Sequence, residues 1–421
     1  MWLFTFLVVI LSTLVALYFK YIYVPLPDNV TDKATLHLLI AINKIFLIGP
    51  WRLLERFGKL EWRTAYLLKS NKLLTYVFTS ISRQRLSPKI GAFACDYDGV
   101  PVRVYVPAPQ LRKNNGTIIY LHGGGWLLGA PVAQFDSVMH RLIVASGMHV
   151  VSVDYRLAPS HRFPAAADDC ERAVAFHLSD GAAQLHCDPA KTVLIGDSAG
   201  GNLTAVVAHR LQRRPPGLLP KLKATVLLYP VIQCADLRLP SYLDEMRTGI
   251  GMLPTDLMHL FTLEYLGISP VTKGLLEKLR RNQHAGSVVR QNAITTKWLD
   301  RKKLPSEVSF GDDVESSKTT ADNLDRELAK RMQSLIVNPD YSPIYAENFS
   351  GIPPTAVVTC GYDVLRDEGI LYAQRLQAEG VDTKWLHYAD TFHAIFSLPT
   401  PTSDKVMRDV VDFILEKLSI E

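Results

Sequence analysis

The stretch Thr192-Val-Leu-Ile-Gly196-Asp197-Ser198-Ala199-Gly200-Gly201 decides the fold. Its first residues read as a buried strand, G-x-S-x-G as a tight turn, and residues 199–212 as a helix. In that context the turn forces Ser198 into a strained backbone that lifts its hydroxyl above the strand end. Gly196 and Gly200 are required because side chains there would collide across the turn. The helix that begins at Ala199 aims its N-terminal dipole at developing negative charge.

Outward from this turn, short β-branched runs recur at 102–106, Thr117–Leu121, 150–153, 192–195, Ala224–Leu228, 355–359 and 383–388. Helical patterns lie at 168–178, 199–212, 369–379, where Gly380 stops the helix, and 404–418. In the last, Val406, Met407, Val410, Val411, Ile414 and Leu418 share one face. Strands alternating with helices predict an α/β fold with a mostly parallel sheet covered on both faces. The rhythm breaks over 236–340, too long an interruption for a loop, and this segment reads as an inserted cap. Its helix at 255–266 carries Leu257, Leu260 and Phe261 on one side, which either wall an apolar pocket or bury against the core. The predicted divisions are a membrane anchor at 1–19, a helical linker at 20–88, two core halves at 89–235 and 341–421, and the cap between them.

Composition narrows the class. Of 421 residues, 48% are hydrophobic and 21% charged, which excludes a disordered, collagen-like or coiled-coil chain. The net charge of +5 is slight and the basic residues are dispersed, so no nucleic-acid partner is expected. Five cysteines without a C-x-x-C pair exclude a disulfide scaffold and a four-cysteine zinc module. No H-E-x-x-H or clustered Cys/His set suggests a metal, and the glycine spacing at 123–125 does not fit dinucleotide binding, so no cofactor is expected.

Residues 1–19 contain no charged side chain and are long enough for a helix to cross a bilayer core. Lys20, Tyr21 and Tyr23 supply an interfacial belt, and Pro25 and Pro27 end the helix. The absence of a basic n-region and the bulky Tyr18 and Phe19 argue against a cleaved signal peptide. Orientation is contested. Lys20 and Lys33 favour a cytosolic body, whereas N-x-S/T sequons at Asn29, Asn115, Asn202 and Asn348 suit a lumenal one.

Two further motifs complete a candidate site. His122-Gly123-Gly124-Gly125-Trp126 directly follows the strand Thr117–Leu121, and its backbone can turn N–H groups inward. Gly123 and Gly124, joined by Ala199, are the expected donors to an oxyanion, with His122 holding the loop. Asp363 lies just past the strand at 355–359, and His393 follows the strand at 383–388. Ser198, His393 and Asp363 thus form a candidate nucleophile, base and orienting acid. Asp367 and Asp390 are rival acids standing farther from a strand end, and His387 lies within a strand.

These motifs resemble the hormone-sensitive-lipase branch of α/β hydrolases, and within it the arylacetamide deacetylase and neutral cholesterol ester hydrolase group. The resemblance rests on HGGGW (122–126), DYRLAP (154–159), GDSAGGNL (196–203), LPSY (239–242), YDVLRDEG (362–369) and FH (392–393), and it thins through 268–340. It implies an α/β-hydrolase fold with a mostly parallel eight-stranded sheet, a helical cap and an N-terminal anchor. It also implies a single-pass type II endoplasmic-reticulum membrane esterase with a lumenal body, Ser198, Asp363 and His393 as triad, and Gly123–Gly125 as the oxyanion loop. The expected substrate is a lipophilic ester. An amidase of small arylacetamides is the enzymatic alternative, and a catalytically dead receptor the non-enzymatic one. Asn29, Asn115 and Asn348 are the glycosylation candidates, since Asn202 falls in the helix behind the nucleophile. Leu127 stands where some relatives carry Cys, which leaves Cys360 without a pairing partner.

Overall fold

The computed structural model describes residues 21–57, 62, 64–70, 89–129, 135–308 and 324–419, with isolated positions before residue 21. Its centre is an eight-stranded sheet: β1 (Ile90–Tyr97), β2 (Val100–Pro107), β3 (Thr117–Leu121), β4 (His149–Val153), β5 (Thr192–Asp197), β6 (Ala224–Leu228), β7 (Thr355–Tyr362) and β8 (Thr383–Phe392). The spatial order is β1-β2-β4-β3-β5-β6-β7-β8. The β1–β2 and β2–β4 pairs are antiparallel, and every pair from β4–β3 to β7–β8 is parallel.

The inner strands are buried along their whole length, which is why they read as unbroken apolar runs. Their side chains still alternate between two apolar layers. Ile119, Leu121 and Leu194 enter one layer, and Ile118, Tyr120, Val193 and Ile195 the other. Helices α1 (Lys33–Asn43), α2 (Asp136–Ser146), α3 (Ala165–Phe176), α4 (Ala199–Gln212), α5 (Pro240–Thr248), α6 (Thr255–Tyr265), α7 (Lys273–Arg280), α8 (Arg326–Ile336), α9 (Arg366–Ala378) and α10 (Pro401–Ser419) surround the sheet. Layer one takes Cys170 and Val174 of α3, Leu203 and Val206 of α4, and Leu371 and Leu376 of α9. Layer two takes Leu142 of α2, Val410 and Ile414 of α10, and Leu36 and Ile40 of α1.

The connection from β6 to β7 carries α5 to α8, where the sequence suggests a cap. Leu260, Leu263, Leu276, Leu279, Met332 and Ile336 from this connection lie in the same apolar layer as the sheet face. Leu257, Leu260 and Phe261 are all buried in that layer as well. Residues 309–323 of the segment lie outside the described residues.

Two points differ from the sequence reading, and one lies outside the described residues. Strand β1 gives no sequence signal because only its end residues, Ile90 and Tyr97, are buried. Strands β7 and β8 run on to Tyr362 and Phe392, beyond 359 and 388, so Asp363 and His393 follow their strands directly. The expected membrane span at 1–19 falls almost wholly outside the described residues; among those described, no helix is long and apolar enough to cross a membrane.

Burial also gives the fold a pH dependence. It pushes His122, His149, His177, His209 and His284 down to about 4 and His259 down to about 3. These side chains stay neutral in the folded state, whereas an unfolded imidazole gains its proton near pH 6.5. Below that pH the unfolded state binds more protons, so stability is complete above about pH 6.5 and falls toward pH 4. Glu368, pushed up to about 8 by burial, has the opposite sign, as do Asp154, Asp197, Asp244 and Glu245, which burial holds above their usual range, but the six imidazoles cover the window between pH 7 and pH 5. Denaturant titrations at pH 7 and pH 5 should show a loss of several kcal/mol on acidification, at up to about 1.4 kcal/mol per pH unit for each histidine. Equal midpoints at the two pH values would contradict this assignment.

Candidate active site

Strand β5 delivers Ser198 into a turn with φ 56° and ψ −118°, a region that L-residues rarely occupy. The turn is held because the Ser198 N–H donates to the Leu228 carbonyl (2.8 Å) and the Ser198 carbonyl accepts from the Asn202 N–H (3.1 Å). Glycine is obligatory at both flanking positions. A Cβ at Gly196 would collide with the Gly200 carbonyl, and one at Gly200 with the Leu121 carbonyl at the end of β3. The Asn202 side chain ties α4 to its surroundings by donating to the Val231 and Tyr341 carbonyls (2.9 and 2.7 Å).

His393, directly after β8, approaches Ser198 with Nε2 3.0 Å from Oγ. Its Nδ1 lies 2.8 Å from Asp363 Oδ2, directly after β7. A carboxylate oxygen only accepts, so Nδ1 carries the hydrogen and Nε2 accepts from the Ser198 hydroxyl. The second oxygen of Asp363 accepts the Leu365 N–H (3.0 Å), which fixes the carboxylate. All three side chains are buried. The Tyr229 ring packs 4.9 Å from the His393 ring centroid and limits its rotation.

The structure therefore brings together Ser198, His393 and Asp363, and it leaves the rival groups elsewhere. Asp367 is occupied by Arg366 Nε (2.7 Å) and the Ser241 N–H (2.7 Å). His387 Nδ1 lies against Thr359 Oγ1 (2.9 Å), and among the described residues no imidazole hydrogen-bonds the carboxylate of Asp390, which lies within β8.

The glycine loop requires a correction. Gly123 was expected to offer its N–H to an oxyanion, but that N–H donates to Asp197 Oδ1 (2.8 Å). The same oxygen accepts the Tyr120 hydroxyl (2.7 Å), and burial holds the Asp197 carboxyl above the usual carboxylate range. A buried carboxylate inside the turn is the stronger acceptor and claims the nearest donor. Gly124 and Gly125, with φ of 116° and 62°, carry the loop N–H groups with no partner among the described residues. The Ala199 N–H, the first helical donor of α4, likewise has no partner among the described residues. The candidate anion pocket is therefore Gly124, Gly125 and Ala199.

His122 holds this loop and does not face the nucleophile. Its ring stacks on Tyr155 (4.3 Å between centroids, 13°), Nδ1 donates to the Gly123 carbonyl (2.7 Å), and burial keeps it neutral. From the other side α6 sits on the loop. Phe261 occupies the space where a Gly125 side chain would be, and Tyr265 stacks on Trp126 (4.5 Å, 3°). Asp197 and Tyr229 went unassigned in the sequence, because their roles depend on contacts between different strands. Glu368 did too; buried, it accepts from the Ile232 N–H (2.8 Å), Gln233 Nε2 (2.9 Å) and the Tyr242 hydroxyl (3.2 Å).

A mostly parallel sheet with a serine, an acid and a histidine just past the ends of β5, β7 and β8 is the arrangement of an α/β hydrolase. A family model described as the alpha/beta hydrolase fold matches residues 118–301 and 295–397. The chain belongs to this α/β-hydrolase family, in the group of the neutral cholesterol ester hydrolases and arylacetamide deacetylases, and is a carboxylic ester hydrolase. It is 32% identical to neutral cholesterol ester hydrolase 1 of Mus musculus over 399 residues, 91% of each chain. It is 31% identical to arylacetamide deacetylase of Oryctolagus cuniculus over 390 residues, 90% of each chain. Among solved structures, a hyperthermophilic esterase from the archaeon Pyrobaculum calidifontis has the same fold. It shares a TM-score of 0.61 and 24% identity, and covers 84% of this chain and 91% of its own.

Replacing Asp197 by Ala would leave the Gly123 N–H and the Tyr120 hydroxyl buried without an acceptor. Each orphaned donor costs on the order of 1–3 kcal/mol, so Asp197→Ala should destabilise the protein by about 2–6 kcal/mol. Equilibrium unfolding checks this, and an unchanged midpoint would remove Asp197 from the support of the loop.

Proposed function

We propose that this esterase is membrane-anchored, hydrolyses lipophilic esters and works through an acyl-enzyme on Ser198. The observation that carries the reading is the hydrogen-bond chain from the Ser198 hydroxyl through His393 to Asp363. Ser198 attacks the ester carbonyl while His393 Nε2 takes its proton. Asp363 fixes the tautomer and stabilises the imidazolium. The N–H groups of Gly124, Gly125 and Ala199 hold the oxyanion, each such donor being worth about 3–4 kcal/mol of barrier. The alcohol leaves with a proton from His393, and water, activated by the same base, releases the acid.

In this reading residues 1–19 are a signal-anchor, 20–88 a helical linker, 236–340 the cap, and 89–235 with 341–421 the catalytic core. The proposed setting is a single-pass type II endoplasmic-reticulum membrane protein with a lumenal body. Exposure of Asn29, Asn115 and Asn348 supports that orientation, and buried Asn202 is excluded as an acceptor. The apolar side chains of α6 beside the glycine loop suit a lipophilic acyl group. The likeness to arylacetamide deacetylase keeps an amidase as the second reading.

A fluorophosphonate probe should label the folded protein and not Ser198→Ala, and the substitution should lower kcat/KM by about 10⁴-fold or more. Labelling of both would remove Ser198 from the chemistry, and labelling of neither would favour the dead-receptor reading. A long-chain acyl ester should be turned over at least about tenfold faster than an aryl amide, each tenfold being 1.4 kcal/mol of barrier; the reverse order would favour the amidase.

Deglycosylation should increase electrophoretic mobility, and replacing Asn29, Asn115 and Asn348 together by Gln should abolish the shift. A mobility indifferent to deglycosylation would favour a cytosolic body.

A further inference from the structure

Residues 27–31 touch both turns that carry the proposed acid and base. The Tyr362 hydroxyl donates to Asn29 Oδ1 (2.8 Å), and Tyr362 immediately precedes Asp363. The N–H and the hydroxyl of Thr31 both donate to the Asp390 carbonyl (2.9 and 3.0 Å), three residues before His393. Between them Val30 is buried in the same apolar layer as Phe392 and Ile395, which flank His393.

The fold needs support at this place. Strand β8 is the last strand of the sheet, so its outer edge has no neighbouring strand. Its pairing with β7 also shifts register between Cys360 and Tyr362, and such irregularities loosen a ladder. A cavity of about 240 Å³, lined by Pro27, Asn29, Asp244, Ile250, Tyr362 and Asp363 among others, lies on the same side. Tyr362 is partly buried against the second apolar layer and paired with Phe392 of β8, and its hydroxyl, beside the cavity, adds the bond to Asn29.

We propose that residues 27–31 are a clamp that sets the spacing between Asp363 and His393, with Asn29, Thr31 and Tyr362 as positioning residues. This rests on the reading of Asp363 and His393 as triad members. Asn29 accepts through Oδ1, which leaves Nδ2, the atom that would carry a glycan, outside the bond. The clamp directly follows the proposed anchor, so it joins the membrane-proximal segment to the geometry of turnover.

The test uses the full-length chain, a soluble short-chain aryl ester, active-site titration with a fluorophosphonate, and every variant deglycosylated before assay. Tyr362→Phe removes one bond and leaves the sequon intact. Thr31→Val removes the hydroxyl, whereas Thr31→Ser retains both the hydroxyl and the sequon. Tyr362→Phe and Thr31→Val should each lower kcat per titrated site by about fivefold, the scale of one neutral hydrogen bond. KM should stay within about twofold, the double variant should fall by about 25-fold, and Thr31→Ser should match wild type. The proposal is overturned if kcat per titrated site in Tyr362→Phe equals wild type, or if only KM or the melting temperature moves. Should the double variant not fold, Tyr362→Phe alone decides. A Ser198→Ala chain that still hydrolyses this ester would instead defeat the triad reading, whatever the clamp variants do.

Discussion

The approach of the α4 N-terminus to the end of β3 governs the rest of the site. Gly200 lies so close to the Leu121 carbonyl that no side chain fits between them, and Gly196 is equally close to Gly200. This contact holds the strained Ser198 backbone, and it also sets the glycine loop, which leaves β3 at the same point, beside the first free N–H of α4. The proposed nucleophile and the candidate anion pocket are therefore products of a single steric constraint.

Electrostatics around that contact are divided among three buried carboxyl groups with separate tasks. Asp197 gathers the Tyr120 hydroxyl and the Gly123 N–H and so shapes the loop from below. Asp363 is shared between His393 and the Leu365 N–H. Glu368, pushed up to about 8 by burial, ties α9 to the segment after β6 through Ile232, Gln233 and Tyr242. None of the three is left without donors, as the low dielectric of the interior requires. The proposed division of labour follows: of the three only Asp363 hydrogen-bonds the His393 imidazole and so orients it, while Asp197 acts on the same ring through its charge at a distance.

The helical connection between β6 and β7 is continuous with the core. Phe261 and Tyr265 of α6 bear on Gly125 and Trp126, so α6 and the glycine loop are packed as one body. On the opposite flank, the stretch before α1 adds hydrogen bonds at the end of β7, through Tyr362, and on β8, through Asp390. Elements that read in sequence as accessories, a cap and a linker, thus contact the loops on which the proposed chemistry depends.

Much of this was legible in the residues themselves. A strand covered on both faces becomes an unbroken β-branched run, so seven of the eight strands could be marked, and the residues just beyond β5, β7 and β8 stood out as Ser198, Asp363 and His393. Strand β1 could not be found, because an edge strand with Phe93 exposed and Cys95 only partly buried carries no clear alternation. The choice of loop donors also failed: Gly123 and Gly125 look alike in sequence, and what separates them is a carboxylate 74 positions away. The clamp was invisible for the same reason, since its bonds span 333 and 359 positions. Sequence alone determined which residue types stand at the strand ends, because local pattern fixes strand and turn. Only the tertiary structure decided which donors remain free and which loops are tied together, because hydrogen-bond partners are chosen by proximity in space.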